Sequence, residues 1–131
     1  MSPENPQRHV FVYGTLRKGQ VNDINALQPA PHFVGHAKVR GSLHHLGRYP
    51  GLLLQADGPT VFGEVYAISP PLERKLDEIE FLYPQETDEY FKREVAVQVA
   101  GQTLQCLVYE INPTYAVGKP VIGGGDWCAV S

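Results

Sequence analysis

"YFKREVAVQVAGQTLQCLVYEI", residues 90–111, reads as a β-hairpin and decides the class of the fold. Its first half alternates at period two: Val95, Val97 and Val99 share one face, Lys92, Glu94 and Gln98 the other. Ala100, Gly101 and Gln102 supply the turn, and "TLQCLVYEI" returns as the partner strand. The same period recurs upstream. In residues 33–46, Phe33, Ala37, Val39 and Leu43 occupy odd positions, and His36, Lys38, Arg40 and Ser42 occupy even ones. Gly35 and Gly41 read as bulge or bend points in that strand. "VFGEVYAI", residues 61–68, is a strand apolar on both faces except at Glu64, and Val10 to Tyr13 form another. Five strands with turn glycines and one good helix predict an α+β chain built as a curled sheet or small, mostly-β barrel.

The helix is "SPPLERKLDEIEFL". Ser69 can cap it, Pro70 and Pro71 suit its first turn, and Leu72, Leu76 and Ile79 fall at i, i+4 and i+7. On a wheel of ~100° per residue, Glu80 lies roughly 70° from the centre of that apolar stripe. Glu73, Asp77 and Glu78 lie roughly 90° to 130° away. Glu80 is therefore the carboxylate nearest the apolar side. It also sits at the helix C-terminus, where the dipole disfavours negative charge. Partial burial and the dipole both raise a carboxyl pKa, as proton exchange near neutrality requires. The alternative is a boundary glutamate whose head reaches water.

With 131 residues and no obvious linker, the chain is expected to be one domain, residues 1–131. Residues 1–8 are expected to be flexible, and 112–131, rich in Gly and Pro, to form an irregular tail over the surface. Hydrophobic residues at 43% and charged ones at 19% argue against global disorder. A net charge of -3 without Lys or Arg clusters argues against a nucleic-acid or anionic-membrane partner. "MSPENPQRH" has no apolar core of a signal peptide, and no apolar run reaches ~18 residues, so a cytoplasmic protein is expected. Cys106 and Cys128 are too few for a disulfide framework or a zinc site, and neither has an activating neighbour in sequence. They are expected to be free, buried or half-buried thiols. His36 and His44 share strand parity but stand ~26 Å apart along a strand, and adjacent His44 and His45 face opposite ways, so no metal site is expected.

The strand at Val10 ends in "YGTLRKG", residues 13–19. Two glycines with four residues between them suggest a phosphate loop, but that chemistry needs Lys followed by Ser or Thr. Gln20 and Val21 follow instead, and the nucleotide reading fails. What remains is either a plain turn or a strand end whose amides around Gly14, Thr15 and Leu16 cradle a carboxylate or carbonyl oxygen. In the second case a branched side chain at Gly14 is expected to close the pocket. "IGGGDW", residues 122–127, reads equally as a flap or a C-terminal turn.

These pieces, in this order, resemble the γ-glutamylcyclotransferase-like family, which includes the AIG2-like and γ-glutamylamine cyclotransferase branches. The resemblance rests on "FVYGTLRKGQVN" (11–22), "LHHLGRYPGL" (43–52), "VFGEVYAI" (61–68), "LDEIE" (76–80), "EYFKREV" (89–95) and "GGDW" (124–127). It implies a small β-barrel flanked by short helices, with a pocket at the end of the first strand. Tyr13, Gly14, Thr15 and Leu16, with Tyr90, are the residues that it implies for γ-glutamyl binding, and Glu80 is the implied general acid/base. Phe81, where many members have glycine, and the long connection "LYPQETDEY" depart from the pattern beside the site and bear on the leaving group. The implied partner is a small γ-glutamyl compound, which would be closed to 5-oxoproline without cofactor or metal. A binding or regulatory protein of the same fold is the alternative, and retention of Glu80 favours catalysis over it.

Overall fold

A computed structural model describes residues 8–20, 23–47, 49–79 and 89–127. The expected hairpin is β5 (Tyr90–Val99) and β6 (Gln102–Ile111), paired in register from Tyr90 opposite Ile111 to Val99 opposite Gln102. Ala100 and Gly101 turn it with φ of 52° and 79°, the doubly positive turn that matches strand twist. Before the hairpin come β1 (Arg8–Val12), β2 (His32–His45), β3 (Pro50–Leu54) and β4 (Thr60–Ile68). The sheet order is β3-β2-β4-β1-β6-β5, all neighbours antiparallel except β1 and β6. β2 approaches β5 and β3 approaches β6, so the sheet curls towards a barrel. Glu110 of β6 spans the gap: its carboxylate accepts from the Leu54 amide at 2.9 Å. Among the described residues there are six strands, not five. "PGLLL" shows no alternation, and Pro50 at the first position of an edge strand lacks only an amide that the ladder does not need.

β2 bends where its glycines foretell. Its register against β4 slips between Phe33 and Gly35, and it leaves β4 after Arg40 to pair with β3 from Gly41 onwards. The slip overturns one expectation. Alternation alone places Phe33 on the face of Ala37, Val39 and Leu43, yet it is 53% exposed, because one extra residue inverts the in/out phase upstream of the bulge.

The sheet is covered on both faces at its centre. Phe11 and Tyr13 point into the barrel with Leu43, Leu52, Val61, Val65, Val97, Val99, Cys106 and Val108. Val10 and Val12 point outwards and pack with Tyr66, Ile68, Leu107 and Tyr109 beneath Leu72 and Leu76 of the helix α1 (Pro70–Ile79). This sandwiching explains why β1 and β4 are apolar on both faces. Ser69 caps α1, its Oγ 3.4 Å from the Leu72 amide. Arg8, expected to be flexible, is the first residue of β1 and makes an ion pair with Glu73 of α1 at 3.1 Å.

The C-terminal region is more regular than expected. A single-turn helix, α2 (Pro113–Ala116), is capped by the Asn112 side chain. The chain then takes the side of β2 that β4 has left: His45 N donates to Pro120 O at 2.8 Å and Ile122 N to Leu43 O at 2.6 Å. Among the described residues no helix is long and apolar enough to cross a membrane.

Candidate functional site at the end of the first strand

Four strand ends converge where β1 stops. β6 runs parallel to β1 and ends beside it at Ile111, β5 begins opposite at Tyr90, and β3 begins at Pro50. Tyr13 is buried there; its hydroxyl donates to Tyr109 O at 2.6 Å and accepts from Leu52 N at 3.3 Å, tying β1 to β6 and β3. Tyr90 is buried too, and its hydroxyl donates to Pro50 O at 3.0 Å. Tyr49 and Tyr90 place their rings 6.4 Å apart, and the Tyr49 hydroxyl donates to the Glu89 carboxylate at 2.5 Å. Of the turn residues, Gly14 and Leu16 are buried and Thr15 is half-exposed. Arg17 N donates to Gly14 O, and Ile24 N to Leu16 O, closing the turn.

Gly14 has a structural reason to be glycine that comes before any ligand. A Cβ there would lie 2.5 Å from Pro50 Cγ and 2.8 Å from Pro50 Cδ. The ring belongs to a strand residue whose carbonyl is held by Tyr90, so it cannot swing away. Gly14→Ala is expected to cost about 1–3 kcal/mol through overpacking. The shift of the urea midpoint at unchanged slope measures it; an unchanged midpoint would mean that the turn yields freely.

α1 aims at this end. Glu73 sits on Arg8, at the start of β1, and Asp77 accepts from the Tyr109 hydroxyl at 2.7 Å, level with the end of β1. Lys92 bridges the two carboxylates, 2.5 Å from Glu73 and 3.0 Å from Asp77. Burial alone would raise the Glu73 carboxyl and lower the Lys92 ammonium. The hydrogen bonds and charges between them, with Arg8 and Asp77, outweigh it: Glu73 is held below the usual carboxylate range and Lys92 above the usual lysine range. Both groups are therefore charged around neutrality and serve to fix the helix. Glu80, three residues after Asp77 in sequence, lies outside the described residues, as do Phe81 and most of "LYPQETDEY".

A buried ion pair underlies the turn, and sequence reasoning gave it no role. Arg17 Nε donates to Glu64 Oε2 at 2.8 Å, with the two side chains 9% and 5% exposed. Glu64 Oε1 accepts from Lys18 N and from the Tyr66 hydroxyl, both at 3.1 Å. Tyr66 in turn accepts from Asn25 Nδ2 at 3.1 Å. Burial, with the Glu64 charge beside it, pushes the Tyr66 hydroxyl up to about 12 against the opposing Asn25 bond, so it donates as a phenol. The signal available in the sequence was Glu64 itself, the one charge in an otherwise apolar strand.

Cys106 lies in the barrel interior, where burial pushes its thiol up to about 11; it is no nucleophile near neutral pH. Cys128 lies outside the described residues. Among those residues, no three His, Cys, Asp or Glu side chains group into a ligand set for a metal ion.

The family described as "Gamma-glutamyl cyclotransferase, AIG2-like" matches residues 10–129, a span that contains the turn, the ion pair and the whole of α1. The chain belongs to this family. Among AIG2-like γ-glutamyl cyclotransferases, it is 38% identical over 107 residues to a Niallia circulans protein named gamma-L-glutamyl-butirosin B gamma-glutamyl cyclotransferase. That match covers 79% of this chain and 67% of the relative. It is 36% identical over 113 residues to the Bos taurus gamma-glutamylaminecyclotransferase, covering 76% of this chain but only 63% of the relative. Among solved structures, the crystal structure of an AIG2-like protein from Mus musculus superposes with a TM-score of 0.69 at 30% identity. It covers 88% of this chain and 86% of that one. The curled, mostly-β sheet with few short helices is the AIG2-like γ-glutamyl cyclotransferase fold.

Proposed function

We propose that this protein closes the γ-glutamyl group of a γ-glutamyl amine or γ-glutamyl peptide to 5-oxoproline, releasing the free amine or amino acid. The observation that carries the reading is the continuous family match over residues 10–129, which takes in both the turn after β1 and the end of α1. The names of the Niallia circulans and Bos taurus relatives point the same way.

The substrate brings its own nucleophile. Its α-amine attacks the γ-carbonyl, a C–N bond closes a five-membered ring, and the C–N bond to the leaving amine breaks. The protein needs to fold the substrate so that these atoms meet, which can supply much of the barrier reduction. It must also take one proton from the α-amine and return one to the leaving nitrogen. In this reading Glu80 performs both transfers, and the turn at Tyr13, Gly14, Thr15 and Leu16, with Tyr90, forms the wall against which the γ-glutamyl group lies. Pre-positioned donors in that wall would stabilise the developing oxyanion. The reaction so written requires no metal or organic cofactor.

Incubation with γ-glutamyl amines, γ-glutamyl dipeptides and glutathione, followed by an assay for 5-oxoproline, tests the reading. At least one class is expected to release 5-oxoproline and its amine in equal amounts. Saturable binding of such compounds without any release would replace catalysis by a binding role.

A further inference from the structure

We propose that Arg17 and Asp126 are positioning residues, which clip the glycine-rich segment 122–126 to the turn after β1 and hold that turn in shape for a substrate. Arg17 stands directly after Leu16 and faces two carboxylates from distant parts of the chain. Its Nε is held by Glu64 of β4 at 2.8 Å, and its Nη1 by Asp126 at 2.6 Å. Glu64 is opposite Val12, the last residue of β1, so this anchor meets the turn at its root.

Asp126 is itself held in place. Phe62 N donates to Gly125 O at 2.8 Å, and Gly125 N donates to Ile122 O at 3.3 Å. Gly125 has φ of +66°, and a Cβ there would lie 1.9 Å from Thr60 O, so only glycine lets the segment approach β4 this closely. The segment is thus pinned to β4 one residue before the carboxylate that grips Arg17. The two halves of the clamp differ in kind. The Glu64 side is buried and belongs to the core, whereas the Asp126 side chain is 37% exposed and in reach of water. A guanidinium held from two sides cannot rotate, and the backbone of Arg17, which closes the turn onto Gly14 O, is fixed with it.

The kinetic arm of the test rests on the proposed cyclotransferase reaction; the structural arm does not. Amide hydrogen exchange is followed in the full chain for the parent, Asp126→Asn and Asp126→Glu. Asp126→Asn is expected to speed exchange across residues 14–20 by ~10-fold or more, with the amides of the 90–111 hairpin and the melting temperature unchanged. Asp126→Glu keeps the carboxylate and is expected to restore much of the protection. Unchanged exchange in 14–20, or a rise spread equally over the hairpin, overturns the proposal. With a substrate that the parent turns over, Asp126→Asn is expected to lose ~10-fold to 10²-fold in kcat/KM, partly recovered in Asp126→Glu. Parent kinetics in Asp126→Asn would also overturn it. A parent that releases 5-oxoproline from no substrate sinks the proposed function instead, and the exchange measurement then decides the positioning role alone.

Discussion

Glu80→Gln is expected to lose roughly 10²–10⁴-fold in turnover while folding and binding a γ-glutamyl substrate as the parent does. The substitution keeps the volume and hydrogen-bonding capacity of the side chain and removes the proton that the reaction must pass from one nitrogen to another. The stripe of Leu72 and Leu76, both fully buried, fixes the rotation of α1 against the sheet. Glu73 on Arg8 and Asp77 on Tyr109 fix its direction, so that it ends on the side of the sheet where β1 stops. Glu78, exposed on the same helix, is the control: Glu78→Gln is expected to leave turnover within about two-fold, as surface changes usually do. Steady-state kinetics on a substrate found in the panel, with binding measured calorimetrically, separates the outcomes. Parent turnover in Glu80→Gln would falsify the acid/base assignment.

The second large effect falls on stability. Arg17→Met preserves most of the side-chain stem but leaves the Glu64 carboxylate, 5% exposed, without its cation. Lys18 N and the Tyr66 hydroxyl still donate to it, but neither carries a charge to offset the burial of a carboxylate. Removing one partner of such a pair costs about 3–5 kcal/mol, a large share of the stability of a small protein. The double change Arg17→Met with Glu64→Leu removes the orphaned charge as well. It is expected to recover a good part of the loss, because apolar groups can replace a buried pair at little net cost. Chemical denaturation of the two single variants and the double variant gives the cycle. Single variants within about 0.5 kcal/mol of the parent would show that water reaches Glu64 after all.

What could be read before any coordinates depended on whether the cause was local. The helix was readable because its cap, its two prolines and its apolar stripe all lie within residues 69–79. The hairpin was readable because alternation and turn are contiguous. β2 was read correctly as a strand and incorrectly at Phe33, since a bulge changes phase without changing composition. β3 escaped because three successive leucines carry no period, and only pairing with β2 makes them a strand. The clamp around Arg17 escaped for the same reason on a larger scale: Glu64 is 47 residues away and Asp126 is 109. The proposed pocket wall at Tyr13 to Leu16 rests on family motifs rather than on physics. Without them, Gly14 reads as a turn, and its contact with Pro50 shows that this plainer reading also has a cause.

The position of β1 in the sheet governs how the molecule can be made. β1 lies in the middle of the sheet, between β4 and β6, whose residues are 60–68 and 102–111, so it leaves the ribosome before either partner. An apolar stretch such as "VFV" can therefore pair on one edge once residues 60–68 have emerged, but its other edge stays open until residues 102–111 have been synthesised. Folding cannot proceed from the N-terminus strand by strand; it depends on contacts distant in sequence, which form slowly. A nascent chain stalled before residue 102 would display β1 as a sticky, half-paired edge, a natural target for chaperone capture or for pairing with another chain. Asp126, 109 residues after Arg17, reaches it only once residue 126 has been made, so shorter nascent chains carry the turn without its restraint.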